Sequence, residues 1–224
     1  MLVSSGLAAP AGATTVTTLG SVVSVVSSVT GGSTCALIST GKVDCWGNNG
    51  SGQLGNGTTA DSDVPVAVVG LTGAKALAAS YDGGSFCAVL SAGTVKCWGD
   101  NVDGELGNGN MTSFTLPVAV KNISTATAIT GGDYGFCALL STSHVDCWGA
   151  GFNGELGNGT FNTSDVPVAV HTITNAVVPV GGDFSFCALL STSHVDCWGN
   201  NGSGELGNGN FNDSDVPVAV LAAS

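Results

Sequence analysis

The sequence contains no arginine and only four lysines, and charged side chains make up 9% of its 224 residues. Sixteen acidic side chains outnumber the four bases, so the formal net charge is −12. Nucleic-acid binding requires a basic surface that displaces counterions from phosphates, and anionic lipid surfaces attract the same kind of surface. The composition therefore argues against nucleic acid and anionic membranes as partners.

Proline and aromatic residues are also scarce, and long apolar runs are missing. No run reaches the ~18 apolar residues of a membrane-spanning helix, so we expect no membrane insertion. Glycine is abundant, with 35 residues, and valine, threonine and asparagine are frequent. This composition is typical of β-strands joined by tight turns.

The cysteines are regularly spaced and reveal an internal repeat. They form four pairs with nine residues between the members of each pair, namely Cys35 and Cys45, Cys87 and Cys97, Cys137 and Cys147, Cys187 and Cys197. The surrounding text repeats every 50 to 52 residues. Because an internal repeat outranks other indications of fold, we divide the chain into units 19–70, 71–122, 123–172 and 173–224.

Each unit predicts four short strands, of which the second and third form a hairpin. In the last unit the predicted strands are Ala176–Val180, Phe186–Leu190, His194–Trp198 and Val216–Val220. If Cys187 lies opposite Cys197, the two sulfurs are close enough for a disulfide. The alternative is reduced cysteine acting as a small buried apolar residue. Pairing in every unit favours four cross-strand disulfides.

The same hairpin predicts a loop of three residues, Ser191–Ser193. The third loop residue is Gly41 or Gly93 in the first two units, which suits the left-handed backbone position of such a loop. Ser143 and Ser193 occupy this position in the other two units, where they must bear modest strain or use another turn.

The segment Cys45–Gly57, Cys-Trp-Gly-Asn-Asn-Gly-Ser-Gly-Gln-Leu-Gly-Asn-Gly, resembles the regulator of chromosome condensation repeat. It recurs at Cys97–Gly109, Cys147–Gly159 and Cys197–Gly209, and the resemblance covers residues 19–220. The resemblance implies an all-β propeller of four-stranded antiparallel blades, usually seven, in a cysteine-containing bacterial and secreted variant. A structural tryptophan ends the third strand of each unit: Trp46, Trp98, Trp148 and Trp198.

Four repeats are too few for the usual seven-bladed ring. We expect an open arc or a fragment of a longer array, with further repeats or self-association at the open blade edges. The alternative is a closed four-bladed propeller, an architecture that does occur.

The first 18 residues lie outside the repeats, and they predict a signal-peptide remnant or a disordered tail. Residues 1–13 end in small residues typical of a cleavage site. Disulfides form in oxidising compartments. We therefore expect an extracellular or cell-envelope location.

Acidic residues recur at equivalent positions, including Glu105, Glu155 and Glu205. Clustered carboxylates can bind Ca²⁺, but the sequence has no twelve-residue calcium loop. We therefore interpret these carboxylates as a solvated acidic face and expect no metal and no cofactor. Repetition also gives no asymmetric catalytic arrangement, so we predict no enzymatic activity.

Candidate contact residues come from the positions that differ between units, because repeat proteins place recognition in variable loops. Large apolar side chains in glycine-rich loops either pack or bind a partner. The best candidates are Tyr134, Phe152 and Phe184, and for Phe161 and Phe211 packing between blades is an equal alternative.

These observations predict an exported, non-enzymatic propeller that binds an unidentified protein through its variable loops. The alternative, implied by the family resemblance, is a guanine-nucleotide exchange factor acting on a small GTPase. Four repeats, paired cysteines and the lack of a basic arm weigh against that alternative.

Overall fold

Residues 18–82 and 84–222 are described by a computed structural model, and they form sixteen β-strands in four separate sheets. We call the sheets blades 1 to 4. Blade 1 comprises β1 (Val22–Ser27), β2 (Ser33–Ile38), β3 (Val43–Gly47) and β4 (Ser62–Ala67). Blade 2 comprises β5 (Ala74–Ala79), β6 (Ser85–Leu90), β7 (Val95–Gly99) and β8 (Phe114–Ala119).

The other two blades repeat this arrangement. Blade 3 comprises β9 (Ala126–Gly131), β10 (Gly135–Leu140), β11 (Val145–Gly149) and β12 (Ser164–Ala169). Blade 4 comprises β13 (Ala176–Gly181), β14 (Ser185–Leu190), β15 (Val195–Gly199) and β16 (Ser214–Ala219). Among the described residues no helix is long and apolar enough to cross a membrane.

Residue types match the position of each strand within its blade. The two middle strands are the most buried, as in β6, where five of six residues are buried. The fourth strand lies at the outer edge and contains a proline in every blade: Pro65, Pro117, Pro167 and Pro217. Proline cannot donate a ladder hydrogen bond, so sheets confine it to such edges.

The cysteine register agrees with the sequence prediction. Cys187 is paired with Cys197 and Leu189 with Val195 in the hairpin of blade 4. Four disulfides join the predicted pairs: Cys35–Cys45, Cys87–Cys97, Cys137–Cys147 and Cys187–Cys197. Each disulfide crosses the two central strands of one blade.

The hydrophobic core lies between blades. Leu37, Val43 and Leu54 of blade 1 pack with Phe86 and Trp98 of blade 2 in one buried cluster. Equivalent clusters fill the spaces between blades 2 and 3 and between blades 3 and 4. Each blade therefore depends on its neighbour to bury its apolar face.

The blades follow one another in an open arc. Neighbouring blades contact each other through their innermost strands, β1 with β5, β5 with β9 and β9 with β13. The arc does not close from blade 4 back to blade 1 within the described residues. The alternative of a closed four-bladed propeller is therefore wrong. The predicted N-terminal segment, residues 1–18, lies outside the described residues apart from its last residue.

Candidate functional site

Two sets of loops lie at the same end of the propeller. Because all neighbouring strands within a blade are antiparallel, the connection from the first to the second strand shares an end with the connection from the third to the fourth. We call this end the loop face and the opposite end, formed by the disulfide-bearing hairpins, the hairpin face. All five sequence-predicted contact residues belong to loops of the loop face: Tyr134, Phe152, Phe161, Phe184 and Phe211.

Tyr134 and Phe184 come together although they are 50 residues apart in the sequence. Their ring centroids are 6.0 Å apart, with an angle of 41° between the ring planes. A backbone hydrogen bond of 2.8 Å, from Asp133 N to Asp183 O, connects the two loops that carry the rings. Backbone pairing between blades 3 and 4 therefore positions this aromatic pair.

The inner loops of the other blades are joined in the same way. Tyr81 N donates to Gly132 O at 2.8 Å, connecting blade 2 to blade 3. Val29 N donates to Tyr81 O at 3.1 Å, connecting blade 1 to blade 2. The loop face is therefore a continuous surface whose inner rim is fixed by the backbone.

Carboxylates surround the aromatic pair. A small pocket between blades 3 and 4 is lined by both rings and by the carboxylates of Asp133, Asp183 and Glu155. Burial, followed by repulsion from Asp183, raises the pKa of Asp133 to about 6. Asp133 in turn is the main cause of a raised pKa for the Tyr134 hydroxyl. Both shifts show that negative charge is concentrated at this edge of the pocket.

The other three aromatic candidates do not join this pair. Phe152, Phe161 and Phe211 are exposed by 63%, 49% and 72%, respectively. Neither Phe161 nor Phe211 is therefore buried between blades. Phe211 lies at the uncovered side of blade 4, where it lines a groove with Leu221. The pair of Tyr134 and Phe184 is accordingly the best-defined apolar feature of the loop face.

A second acidic cluster lies on blade 2, and sequence reasoning did not assemble it. One carboxylate oxygen from each of Asp82, Asp100 and Glu105 lies within 4.8 Å of the others. Glu105 is fully buried, and burial raises its pKa to about 8. Burial also raises the pKa of Asp82.

Blade 1 has neutral amides at two of these positions. There the side chains at the positions of Asp100 and Glu105 are Asn48 and Gln53, and Gln53 Nε2 donates to Asn48 Oδ1 at 3.1 Å. The replacement of an amide pair by two acids is visible when the repeats are aligned. The sequence does not show that Asp82 joins them, because that contact depends on the fold of the inner loop.

The Glu105 loop also contributes to the interface between blades. Trp148 Nε1 of blade 3 donates to Glu105 O at 2.8 Å. Equivalent bonds join Trp98 to Gln53 O and Trp198 to Glu155 O. All three indoles are fully buried, whereas Trp46 at the open side of blade 1 is half-buried. Each of the three buried indoles also stacks on a phenylalanine of its own blade, as Trp98 does on Phe86, so the tryptophans contribute to contacts both between and within blades.

Comparison with known proteins identifies the repeat. A family model described as the regulator of chromosome condensation (RCC1) repeat matches residues 40–90 and 92–139. A second model with the same description matches residues 22–53. Together they cover just over half of the chain.

Curated relatives match over short segments. The mouse E3 ubiquitin-protein ligase HERC2 is 30% identical over 96 residues, which are 42% of this chain and 2% of the ligase. The zebrafish (Danio rerio) protein RCC2 homolog is 38% identical over 79 residues, 35% of this chain and 16% of the relative. The chain thus matches less than a fifth of the length of either relative.

Solved structures match over nearly the whole chain. Human WBSCR16 superposes with a TM-score of 0.79 at 24% identity, covering 91% of this chain and 54% of that one. Prp20p from Saccharomyces cerevisiae superposes with a TM-score of 0.77 at 18% identity, covering 93% and 52%. The chain therefore spans about half of these propellers. By its repeats and by its blades, this chain belongs to the RCC1 repeat family.

Proposed function

We propose that this chain is a non-enzymatic binding protein whose loop face recognises a protein partner. The observation that carries the proposal is the pair of exposed Tyr134 and half-buried Phe184, whose loops are joined by a backbone hydrogen bond between two blades and whose pocket is lined by acidic residues. Aromatic side chains of this kind supply much of the binding energy of protein interfaces. A fixed backbone reduces the entropy that binding must remove.

The charge around the pair indicates the kind of partner. Asp82, Asp103, Asp133 and Asp183 all raise the pKa of the Tyr134 hydroxyl by their negative charge. A partner segment with lysine or arginine would be attracted to these carboxylates, and its cation could lie on an aromatic ring. We therefore propose a partner with a basic contact segment.

The proposal includes export to an oxidising compartment, supported by the four disulfides. A protein partner is also supported by analogy, since Prp20p has been studied for its binding to Gsp1p and histones. At 18% identity that likeness extends to the fold alone. Binding of a partner with a basic contact segment must therefore be tested on this chain.

A capture experiment tests the proposal. The immobilised full chain is exposed to the extracellular and envelope fraction of its source organism and eluted with increasing salt. We compare it with Tyr134→Ala/Phe184→Ala and with His144→Ala, a matched control on the hairpin face. The proposal expects salt-sensitive capture by the wild type and the control, and its loss in the double variant. Equal capture by all three chains, or none by the wild type, would overturn it.

The alternative, nucleotide exchange on a small GTPase, requires a separate measurement. The full chain is added to small GTPases of the source organism loaded with labelled GDP. Accelerated release of the label would favour this alternative, whereas unchanged release favours a binding protein without exchange activity.

A further inference from the structure

Glu105 is a buried acid that is only partly satisfied by hydrogen bonds. Its side chain is fully buried, and its Oε1 atom has no hydrogen-bond partner among the residues that the structure describes. Its other oxygen, Oε2, accepts a hydrogen bond of 2.9 Å from Asp103 N. Leaving a buried carboxylate oxygen unsatisfied is costly, so such an atom in a native structure requires an explanation.

Two further acids point to that explanation. Asp82 and Asp100 place a carboxylate oxygen within 4.8 Å of a Glu105 oxygen and of each other. Asp82 is fixed because its Oδ1 accepts hydrogen bonds from Ser80 Oγ and Gly84 N. Asp100 is fixed by Ser113 Oγ, which donates to its Oδ1 at 2.8 Å. Local hydrogen bonds thus hold like charges together that would otherwise separate.

The other blades show that the fold does not need these charges. Blade 1 has the neutral pair Asn48 and Gln53, which satisfy each other. In blade 3, Glu155 Oε1 accepts a bond of 2.8 Å from Asn153 Nδ2, and Ala150 replaces the aspartate. Within the described ranges, 18–82 and 84–222, a cluster of three acids with adjacent carboxylate oxygens occurs in blade 2 alone.

We propose that Asp82, Asp100 and Glu105 form a binding site for a hard divalent cation such as Ca²⁺. Hard cations take oxygen ligands, and Ca²⁺ accepts carboxylates in flexible geometry, with carbonyls or water completing its coordination. A dication offsets two of the three negative charges of the carboxylates. Glu105 Oε1, which otherwise has no partner, becomes one of its oxygen ligands. The site lies beside the loop that receives Trp148, so the cation stabilises the interface of blades 2 and 3.

Calcium titration tests this site. The full chain is stripped with a chelator and titrated with CaCl₂ by calorimetry, and its melting temperature is measured with and without Ca²⁺. The expected result is saturable binding of one Ca²⁺ per chain and a higher melting temperature, because a ligand that binds only the folded state stabilises it.

The decisive variant copies the amide pair of blade 1 into blade 2. Asp100→Asn/Glu105→Gln keeps the shape of both side chains and is expected to fold, as shown by an unchanged circular dichroism spectrum. Loss of ligand charge should lower Ca²⁺ affinity at least about tenfold. Glu155→Gln, the same change in blade 3, is the matched control and should bind like the wild type. No Ca²⁺ binding by the wild type at millimolar concentrations, or wild-type affinity in the double variant, would overturn the proposal.

A separate observation concerns the two ends of the arc. At each interface between blades, an indole of one blade donates to a loop carbonyl of the preceding blade: Gln53 O, Glu105 O and Glu155 O. A second hydrogen bond accompanies it at each interface, from Gly57 N to Thr115 O, from Gly109 N to Asp165 O and from Gly159 N to Asp215 O. Each of these blades therefore docks, through its tryptophan, against the loop between the third and fourth strands of the preceding blade.

Among the described residues, blade 4 presents the same surface without a covering blade. A groove of about 440 Å³ is lined by Gly204, Gly207, Phe211 and Leu221, and the latter two side chains are exposed by 72% and 62%. Blade 1 carries the matching half-buried Trp46. We also infer that blade 4 of one chain docks blade 1 of a second copy, with Trp46 in the groove. Such a head-to-tail contact forms rings or open assemblies.

Complementation of two variants tests this contact by sedimentation velocity. The wild type should self-associate as its concentration rises. Trp46→Ala and Leu221→Asp should each be monomeric, whereas their mixture should form a heterodimer because each retains one intact end. Phe152→Ala, a change on the exposed loop face, is the control and should associate like the wild type. A monomeric wild type at all concentrations, or no heterodimer in the mixture, would refute the contact.

Discussion

Trp98 Nε1 donates a hydrogen bond of 2.9 Å to Gln53 O, and this bond joins blade 2 to the loop of blade 1. Gly55 makes the approach possible. A Cβ atom at Gly55 would lie 2.9 Å from the indole nitrogen, and its φ of +63° also disfavours any other residue. The spacing of Trp, Gly and Leu in the repeat therefore places these residues where successive blades contact each other.

The first prediction concerns this bond. Trp98→Phe removes the indole donor, leaves the buried Gln53 carbonyl without it, and reduces the packed volume. We expect the free energy of unfolding to fall by ~2–4 kcal/mol. Trp46→Phe, at the open side of blade 1, should cost less than ~1 kcal/mol. Urea denaturation at low protein concentration measures both, and equal losses would show that the contact between blades adds nothing.

Repetition explains why so much of the fold could be predicted from the sequence. Four aligned copies identify the strands, and opposed cysteines such as Cys187 and Cys197 define the hairpin register within each copy. Successive side chains of a strand point to opposite faces of the sheet, so one paired position determines on which face every other side chain of the two strands lies. Local chemistry and repetition together were therefore sufficient to predict the strands and the hairpin register of each blade.

Contacts between loops could not be predicted in the same way. Tyr134 meets Phe184, and Asp82 meets Asp100 and Glu105, because of how inner loops fold and how blades are arranged. Neither pairing has a periodic pattern in the sequence. Candidate residues could therefore be named from their unusual types, whereas their assembly into an aromatic pair and an acidic cluster required the structure.

The second prediction uses the strained serine turns. Ser143 and Ser193 have φ angles of +62° and +65°, where Gly41 and Gly93 have +77° and +80°. A residue other than glycine in this left-handed region costs the folded state roughly 1–2 kcal/mol. Replacing it with glycine removes this cost, but part of the gain is lost because glycine makes the unfolded chain more flexible. Ser143→Gly should therefore raise the free energy of unfolding by ~0.5–1 kcal/mol.

The reverse change is the control for the turn prediction. Gly93→Ser should destabilise the chain by more than this amount, since a Cβ there would lie 2.6 Å from Ser124 O. Chemical denaturation measures both variants. A less stable Ser143→Gly chain would contradict the assignment of strain to this turn.

The third prediction is a pH dependence at the aromatic pocket. The pKa of Asp133 is raised to about 6 by burial and by the negative charges of Asp183, Asp82 and Glu155. An aspartate in the unfolded chain has a pKa of about 3.9. The folded state therefore holds the proton more tightly, and the stability linked to this proton is present at low pH and lost as pH rises from about 4 to 6.

Asp133→Asn keeps this position neutral at every pH. In the presence of a chelator, the variant should melt at a higher temperature than the wild type at pH 7.5. The difference should shrink as the pH approaches 4, because the wild-type carboxyl group is then protonated. A difference in melting temperature that is the same at all pH values would contradict the raised pKa.

The fourth prediction concerns the disulfides and separates the two candidate functions. Each disulfide closes a loop with a sequence separation of 10 residues. In the chain-entropy account, a loop of this length contributes ~2–3 kcal/mol. The native protein, denatured without reductant, should show almost no titratable thiol, whereas prior reduction should release all eight.

Cys137→Ala/Cys147→Ala removes one disulfide and should lower the free energy of unfolding by ~2–3 kcal/mol under oxidising conditions. Reductant should lower the stability of the wild type further, because it opens all four disulfides. An exchange factor working in a reducing compartment would instead be purified with nearly eight free thiols and would tolerate reductant. Nearly eight free thiols would contradict export, because an exported protein keeps its disulfides. A low thiol count together with a large loss of stability on reduction would support export.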